Sequence, residues 1–286
     1  MKFSETREFS PATGETIYRR FFEPLSTKHS GEVLMLHGLG DHIGCHDWAA
    51  GLLIHAGFAP IGFDWPGHGQ SSGRRGDIPG VRGAMDLIDE TVGKMKSQPV
   101  GVFTHSTGGF ILLHYLDRKQ ALEEQAPFRW LWLNSPLLQP GYNQSAFKQK
   151  MAKWLGLIAP RAVFSTGVVH EQCCHMEGAD ENEERLNFEG CQNRVSLRYG
   201  NSLIDYGESG FHGAIPLSGS TRFLLTQGDE DTVCPPFLAK QFFDNAPVTD
   251  KTFALIRGAR HEAFREVNPL PFYNSARAWL MNTASH

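Results

Sequence analysis

Short, almost wholly apolar runs alternate with segments of helical period along most of this chain, and that alternation leaves few architectures open. Residues 33–36, 59–63, 100–103 and 130–133 are such runs, and 223–226 and 253–256 resume the pattern near the C-terminal end. Between them, Val81, Met85, Ile88, Val92 and Met95 recur at spacings of 4, 3, 4 and 3, the period of an amphipathic helix. Trp48, Leu52 and His55 share one face of another helix, and further helices are expected over 107–123, 236–243 and 272–281. A strand that is apolar throughout must be covered on both faces, so the expected class is α/β: a mostly parallel, doubly wound sheet with helices on both sides. The first thirty residues read differently, as a hairpin with strands at 6–9 and 16–23 around the turn residues Pro11, Ala12, Thr13 and Gly14.

The pattern breaks between 138 and 213. Phe147, Met151, Trp154, Leu155 and Ile158 form one helical stripe flanked by Lys148, Lys150 and Lys153, and Pro160 ends that helix. An acidic stretch follows from 177 to 184, read as a solvated loop, and no clean strand is expected there. The chain therefore divides into a core of 1–137 and 214–286 and a mainly helical cap of 138–213 placed over the sheet. The stripe is expected to pack on the core, to line a substrate pocket, or to meet a lipid surface with its lysines alongside.

Composition mainly excludes. With 27 Lys and Arg against 31 Asp and Glu, no basic surplus recruits nucleic acid. No apolar run reaches the ~20 residues of a membrane span, and the first residues lack the apolar segment of a secretory signal. A cytoplasmic protein is the expectation. The five cysteines (Cys45, Cys173, Cys174, Cys191 and Cys234) are too few and odd in number for a disulfide framework. Cys173, Cys174 and His175 lack the spacer of a zinc knuckle. Packed thiols and no metal are the reading.

Four loops carry chemistry. Val102-Phe-Thr-His-Ser106-Thr-Gly-Gly109 runs an apolar strand into a serine and then into a helix, the setting of a nucleophile elbow, although Thr104 stands where the G-x-S-x-G pattern has glycine. His37-Gly38-Leu39-Gly40 ends an earlier strand and leaves backbone N–H groups free to bind an oxyanion. Asp229, Glu230 and Asp231 follow the strand at 223–226, and any of them could orient a histidine. His261 follows the next strand and is placed to act as a general base. Position 265 is Arg, so His261-Glu262 does not extend to the H-E-x-x-H zinc motif. Each loop is a modest signal alone. Serine, then acid, then histidine, each beyond the end of a parallel strand, is the chain order of the α/β-hydrolases among Ser-His-Asp enzymes, and such strand ends gather on one edge of the sheet. His68 and His105 are read as structural, His105 packing beneath the turn.

With these motifs in place the chain resembles the α/β-hydrolase superfamily, specifically its monoacylglycerol lipase and lysophospholipase group, over residues 10–137 and 214–280. Phe63-Asp-Trp-Pro-Gly-His-Gly-Gln-Ser71 is similar to that group's D-x-x-G-H-G-x-S block, Gly73-Arg-Arg-Gly76 to its continuation, and Asn134-Ser-Pro-Leu137 to the strand end leading into its cap. The resemblance implies Ser106, Asp231 (rather than Asp229) and His261 as catalytic residues, with the N–H groups of Leu39 and Thr107 as the oxyanion hole. It implies hydrolysis of a small acyl ester (a monoglyceride, a lysophospholipid or a simpler ester) through an acyl-enzyme, with no cofactor; the cap's stripe and lysines, read from the residues, leave room for transient lipid contact. The stripe Phe147, Met151, Trp154, Leu155 and Ile158 is the candidate substrate-binding surface. Two other readings stay open. One is a peptidase of the prolyl-aminopeptidase type, for which Glu183 and Glu184 would hold the substrate amine. The other is a non-catalytic ligand-binding member of the fold. A serine at 106 disfavours the dehalogenases and epoxide hydrolases, which use aspartate there.

Overall fold

Each apolar run becomes a strand of one sheet. The computed structural model describes residues 1–124, 128–142, 144–175, 191–208 and 221–284. Its elements begin β1 Phe3–Ser10, β2 Glu15–Phe22, β3 Glu32–Leu36, α1 Asp47–His55, β4 Ala59–Phe63, α2 Gly80–Gly93, β5 Gly101–His105, α3 Thr107–Ala121 and β6 Trp130–Asn134. Then come α4 Ala146–Ile158, β7 Val163–Ser165, β8 Arg194–Ser196 and α5 Leu197–Glu208, and finally β9 Arg222–Gly228, α6 Pro236–Asn245, β10 Lys251–Ile256 and α7 Leu270–Ala284. The main sheet has eight strands in the order β1-β2-β4-β3-β5-β6-β9-β10. The hairpin β1–β2 joins it antiparallel to β4, and every later neighbour pairs parallel.

Side chains along the parallel strands alternate between two cores. Leu34, Leu36, Val102, Leu131, Leu133, Phe223 and Leu225 face the helices α2, α3 and α6. Val33, Met35, Phe103, Trp130, Trp132 and Leu224 face α1 and α7. This two-sided burial is what the uninterrupted apolar runs required. One helix sits differently from its sequence reading. The buried face of α1 is Ala49, Ala50, Leu53 and Ile54; Trp48 and Leu52 flank it and His55 is exposed.

The segment between β6 and β9 stays out of the main sheet. It contains a short antiparallel ladder, Val163–Ser165 with Arg194–Ser196, where no strand was expected. Three-residue strands carry too little period to be read from sequence. The acidic stretch 177–184 and the expected insertion boundary at 213 lie outside the described residues.

This segment is fastened to the rest through Asp77, whose carboxylate is fully buried. It accepts Arg161 Nε at 2.8 Å, Arg198 Nε at 2.6 Å and Arg198 Nη2 at 2.8 Å. Nearby, Ser202 Oγ accepts from Val81 N at 2.9 Å, and Ser196 N donates to the Gly76 carbonyl at 2.9 Å. Asp77→Ala leaves two half-solvated guanidinium groups without their shared acceptor. The expected cost is about 2 kcal/mol, below that of a wholly buried pair because water reaches both arginines. A urea-denaturation midpoint unchanged from wild type would rule this fastening out as a stabilising contact. No helix among the described residues is long and apolar enough to cross a membrane.

Candidate active site

Ser106 sits directly after β5, at φ 50° and ψ −118°, a left-handed region that non-glycine residues seldom occupy. The turn is held from three sides. Ser106 N donates to the Asn134 carbonyl, and the Ser106 carbonyl accepts from Gly109 N and Leu137 N, each at 3.0 Å. A Cβ at Gly108 would lie 2.7 Å from the Leu36 carbonyl oxygen and 2.8 Å from that of His37, so glycine is what lets α3 start against the end of β3. Thr104, the departure from the usual elbow pattern, is buried, and its Oγ1 fills space that a Cβ at Gly109 would approach to 3.2 Å. The glycine at 109 thus makes room for the threonine at 104.

The other strand-end loops converge here. Gly38 lies against Ser106, a Cβ there falling 3.1 Å from Ser106 Cβ. Leu39 N faces the start of α3 and donates to Thr107 Oγ1 at 3.3 Å, a bond that a bound oxyanion would replace. The two N–H groups expected to serve an oxyanion therefore belong to adjoining residues beside Ser106. His261 Nδ1 lies 2.8 Å from Asp231 Oδ2, and both residues are buried. Among the three neighbouring acids only Asp231 meets the histidine. Asp229 accepts from Gly258 N at 2.6 Å, and Glu230 is exposed. Asp231 is itself held: Oδ1 accepts from Val233 N and Cys234 N and Oδ2 from Gln227 Nε2, all at 2.8 Å. Burial alone would push the His261 imidazole toward neutrality, but the Asp231 charge and hydrogen bond outweigh it and raise its pKa well above the ordinary histidine value.

Two residues beside the histidine escaped the sequence reading. Ser135, at φ 44°, donates its hydroxyl to the His261 carbonyl at 2.9 Å. Cys234 places its thiol within hydrogen-bonding reach of both Ser106 and His261; burial raises its pKa, and nearby His261 opposes that rise. Neither has a signal in a single sequence, since each reaches the site only because its turn folds back. His105 and His68 are buried as expected. His105 Nδ1 accepts from Asn134 Nδ2 at 3.0 Å beneath the turn, and its ring centroid is 4.9 Å from that of His261. His68 Nδ1 pairs with the Pro66 carbonyl, and burial lowers its pKa to about 4.

The helical stripe does not pack on the core. Helix α4 has no fully buried residue, and Phe147, Met151, Trp154 and Ile158 are exposed. Leu155 alone of the five is half-buried, on the side of Ala152, whose carbonyl accepts from Asn201 Nδ2 of α5 at 3.0 Å. Lys153 bends to Asp205 and Glu208 of α5 rather than flanking the stripe. Among the described residues helix α4 is covered by α5, and most of its apolar side is exposed. Cys173 and Cys174 are buried thiols, and His175 turns away to Glu266 at 3.0 Å.

Strand order, the strained serine turn and the buried acid–histidine pair at one edge of a parallel sheet define an α/β-hydrolase. Residues 27–268 match the family described as serine aminopeptidase, S33, and the chain belongs to that family. Its relatives include an abhydrolase domain-containing protein of Dictyostelium discoideum, 28% identical over 93% of this chain but only 28% of that one. Human monoglyceride lipase is 26% identical over 90% of this chain and 83% of its own length. The crystal structure of Paleococcus ferrophilus monoacylglycerol lipase superposes with a TM-score of 0.80 at 29% identity, covering 93% of this chain and 98% of that one. A monoglyceride lipase from Saccharomyces cerevisiae, solved with a substrate analog, has a TM-score of 0.78 at 22% identity over 99% of this chain and 95% of that one.

Proposed function

We propose that this protein hydrolyses carboxylic esters of the monoglyceride or lysophospholipid kind through Ser106, His261 and Asp231. The observation that carries the reading is the buried Asp231–His261 pair beside a serine on a strained turn. Ser106 Oγ attacks the acyl carbonyl while His261 Nε2 takes its proton. Asp231 holds the Nδ1–H tautomer and stabilises the imidazolium. The N–H groups of Leu39 and Thr107 receive the oxyanion, each contributing about 3 kcal/mol at the transition state. His261 then protonates the leaving alcohol, and water releases the acyl group by the reverse sequence. The relatives named as monoglyceride lipases support this substrate class. A panel of monoglycerides and p-nitrophenyl esters of rising chain length tests it. Preference for proline amides over every ester would instead favour the aminopeptidase reading, whose amine-binding candidates Glu183 and Glu184 lie outside the described residues.

The segment between β6 and β9 acts in this reading as a cap, and α4 is the part that meets the lipid. Phe147, Met151, Trp154, Leu157 and Ile158 are all exposed along one helix, with Lys148 and Lys150 also exposed. Each large apolar side chain buried in lipid contributes about 1.5–3 kcal/mol. Replacing Phe147, Trp154 and Ile158 together by serine is expected to lower partition onto phosphatidylcholine vesicles by at least about tenfold. Hydrolysis of a water-soluble ester should fall much less. Equal binding of wild type and variant in a vesicle sedimentation assay would remove α4 from the lipid contact.

A further inference from the structure

Cys45 and Cys191 are 146 residues apart in sequence, yet their sulfurs lie 3.4 Å apart. Cys45 is buried in the short helical turn before α1, and Cys191 is half-buried within the insertion, just before β8. Beside them is His42, which together with the two sulfurs forms a cluster whose ligand-type atoms all lie within 4.8 Å of one another. Three such groups suggest a metal, but the hydrogen bonds argue against one. His42 Nδ1 accepts from Gly44 N at 3.1 Å, which leaves the ring proton on Nε2. A metal-bound imidazole needs the opposite arrangement, its second nitrogen donating to an acceptor. Asp41, the nearest acid, is also occupied: Oδ2 binds His46 Nε2 at 2.6 Å and Oδ1 accepts from His42 N at 2.9 Å. A ring N–H on His42 beside the two sulfurs suits a thiolate instead.

We infer that Cys191 is a hydroperoxide-reactive thiolate and that Cys45 is its resolving partner, the product being a disulfide that joins the insertion to the loop after β3. The hydrogen bond from the Cys45 thiol, against the opposing effect of burial and with help from His42, lowers the Cys191 pKa to about 6. The same contact, together with burial, raises that of Cys45, so Cys45 is the protonated member. Low pKa and partial exposure are the conditions for selective oxidation. The Cys191 sulfur attacks one peroxide oxygen, the O–O bond breaks, and the departing alkoxide or hydroxide is protonated. The sulfenic acid so formed is attacked by the Cys45 sulfur. The S–O bond breaks, and hydroxide leaves as water with the Cys45 proton. In sum two thiols are oxidised and one hydroperoxide is reduced to an alcohol (or water) and water. The sulfurs must close from 3.4 Å to the ~2.05 Å of a disulfide. That bond draws on residues at the oxyanion loop, because Gln192 N donates to the Gly40 carbonyl at 2.8 Å and Gln192 Nε2 to that of Gly67 at 2.9 Å.

The test treats the full chain with hydrogen peroxide and maps its cysteines by peptide mass spectrometry with and without dithiothreitol. Wild type is expected to give a Cys45–Cys191 linked peptide that dithiothreitol releases. Cys45→Ser should stop one step earlier, with dimedone labelling Cys191, while Cys191→Ser should leave Cys45 unlabelled. Either pattern failing in folded protein overturns the inference, as does oxidation of Cys173, Cys174 or Cys234 ahead of Cys191. Stoichiometric zinc retained by the purified wild type and lost in either variant would overturn it in favour of a metal site.

Discussion

Replacing Ser106 by alanine is expected to lower kcat/KM on a p-nitrophenyl ester by about 10⁴- to 10⁶-fold and to abolish labelling by a fluorophosphonate probe. The loss should be nearly complete because no neighbouring group can take over. Cys234 has a thiol within reach of Ser106 and His261, but burial holds that thiol protonated and hence weakly nucleophilic. Alanine has the same backbone restriction as serine at φ 50°, so the turn should neither gain nor lose strain. The variant should therefore unfold at the wild-type temperature, which separates lost chemistry from lost structure. Wild-type turnover by a folded Ser106→Ala protein would remove Ser106 from the mechanism.

The second large effect belongs to Asp231→Asn. All four donors to this carboxylate are fixed: two backbone N–H groups on Oδ1, and Gln227 and His261 on Oδ2. An asparagine can present its oxygen to only one pair. Facing the backbone pair, it turns its own N–H₂ toward His261 Nδ1, which must then accept. The ring proton moves to Nε2, where it blocks uptake of the serine proton. A fall in kcat of about 10⁴ is expected near neutral pH. The pH profile should change as well. His261 works as a base only when neutral, and Asp231 raises its pKa well above 6.5, so wild-type kcat/KM should climb with pH through a midpoint above that value. In the variant burial acts without the opposing charge, and the midpoint should move below it. A wild-type limb that stays put after the substitution would mean that Asp231 does not set the state of His261.

The same contrast separates what was legible early from what was not. Six apolar runs predicted six parallel strands, because a strand buried on both faces has a composition of its own; β10 is the exception, an edge strand that leaves Thr252 and Leu255 exposed. The loops holding Ser106, Leu39, Asp231 and His261 were found for a related reason: each follows such a run, and parallel strands must end on one edge. Which of three acids would meet His261 was not readable from the residues. That choice depends on a turn in which Val233, Cys234 and Gln227 hold one carboxylate inward while Gly258 engages Asp229.

By itself the sequence determined the class of fold and the short list of groups able to do chemistry, since periodicity and strand-end position are local properties. Only the tertiary structure decided how distant groups combine. It brought Cys45 to Cys191, set Cys234 and Ser135 beside His261, and let Gly109 accommodate Thr104. It also left most of the stripe of α4 exposed, where packing on the core, lining a pocket and meeting a lipid surface had all stood open. An apolar stripe records only that one face of a helix avoids water. Whether a core, a substrate or a membrane covers it depends on what the rest of the chain places opposite, and among the described residues α5 covers the other side.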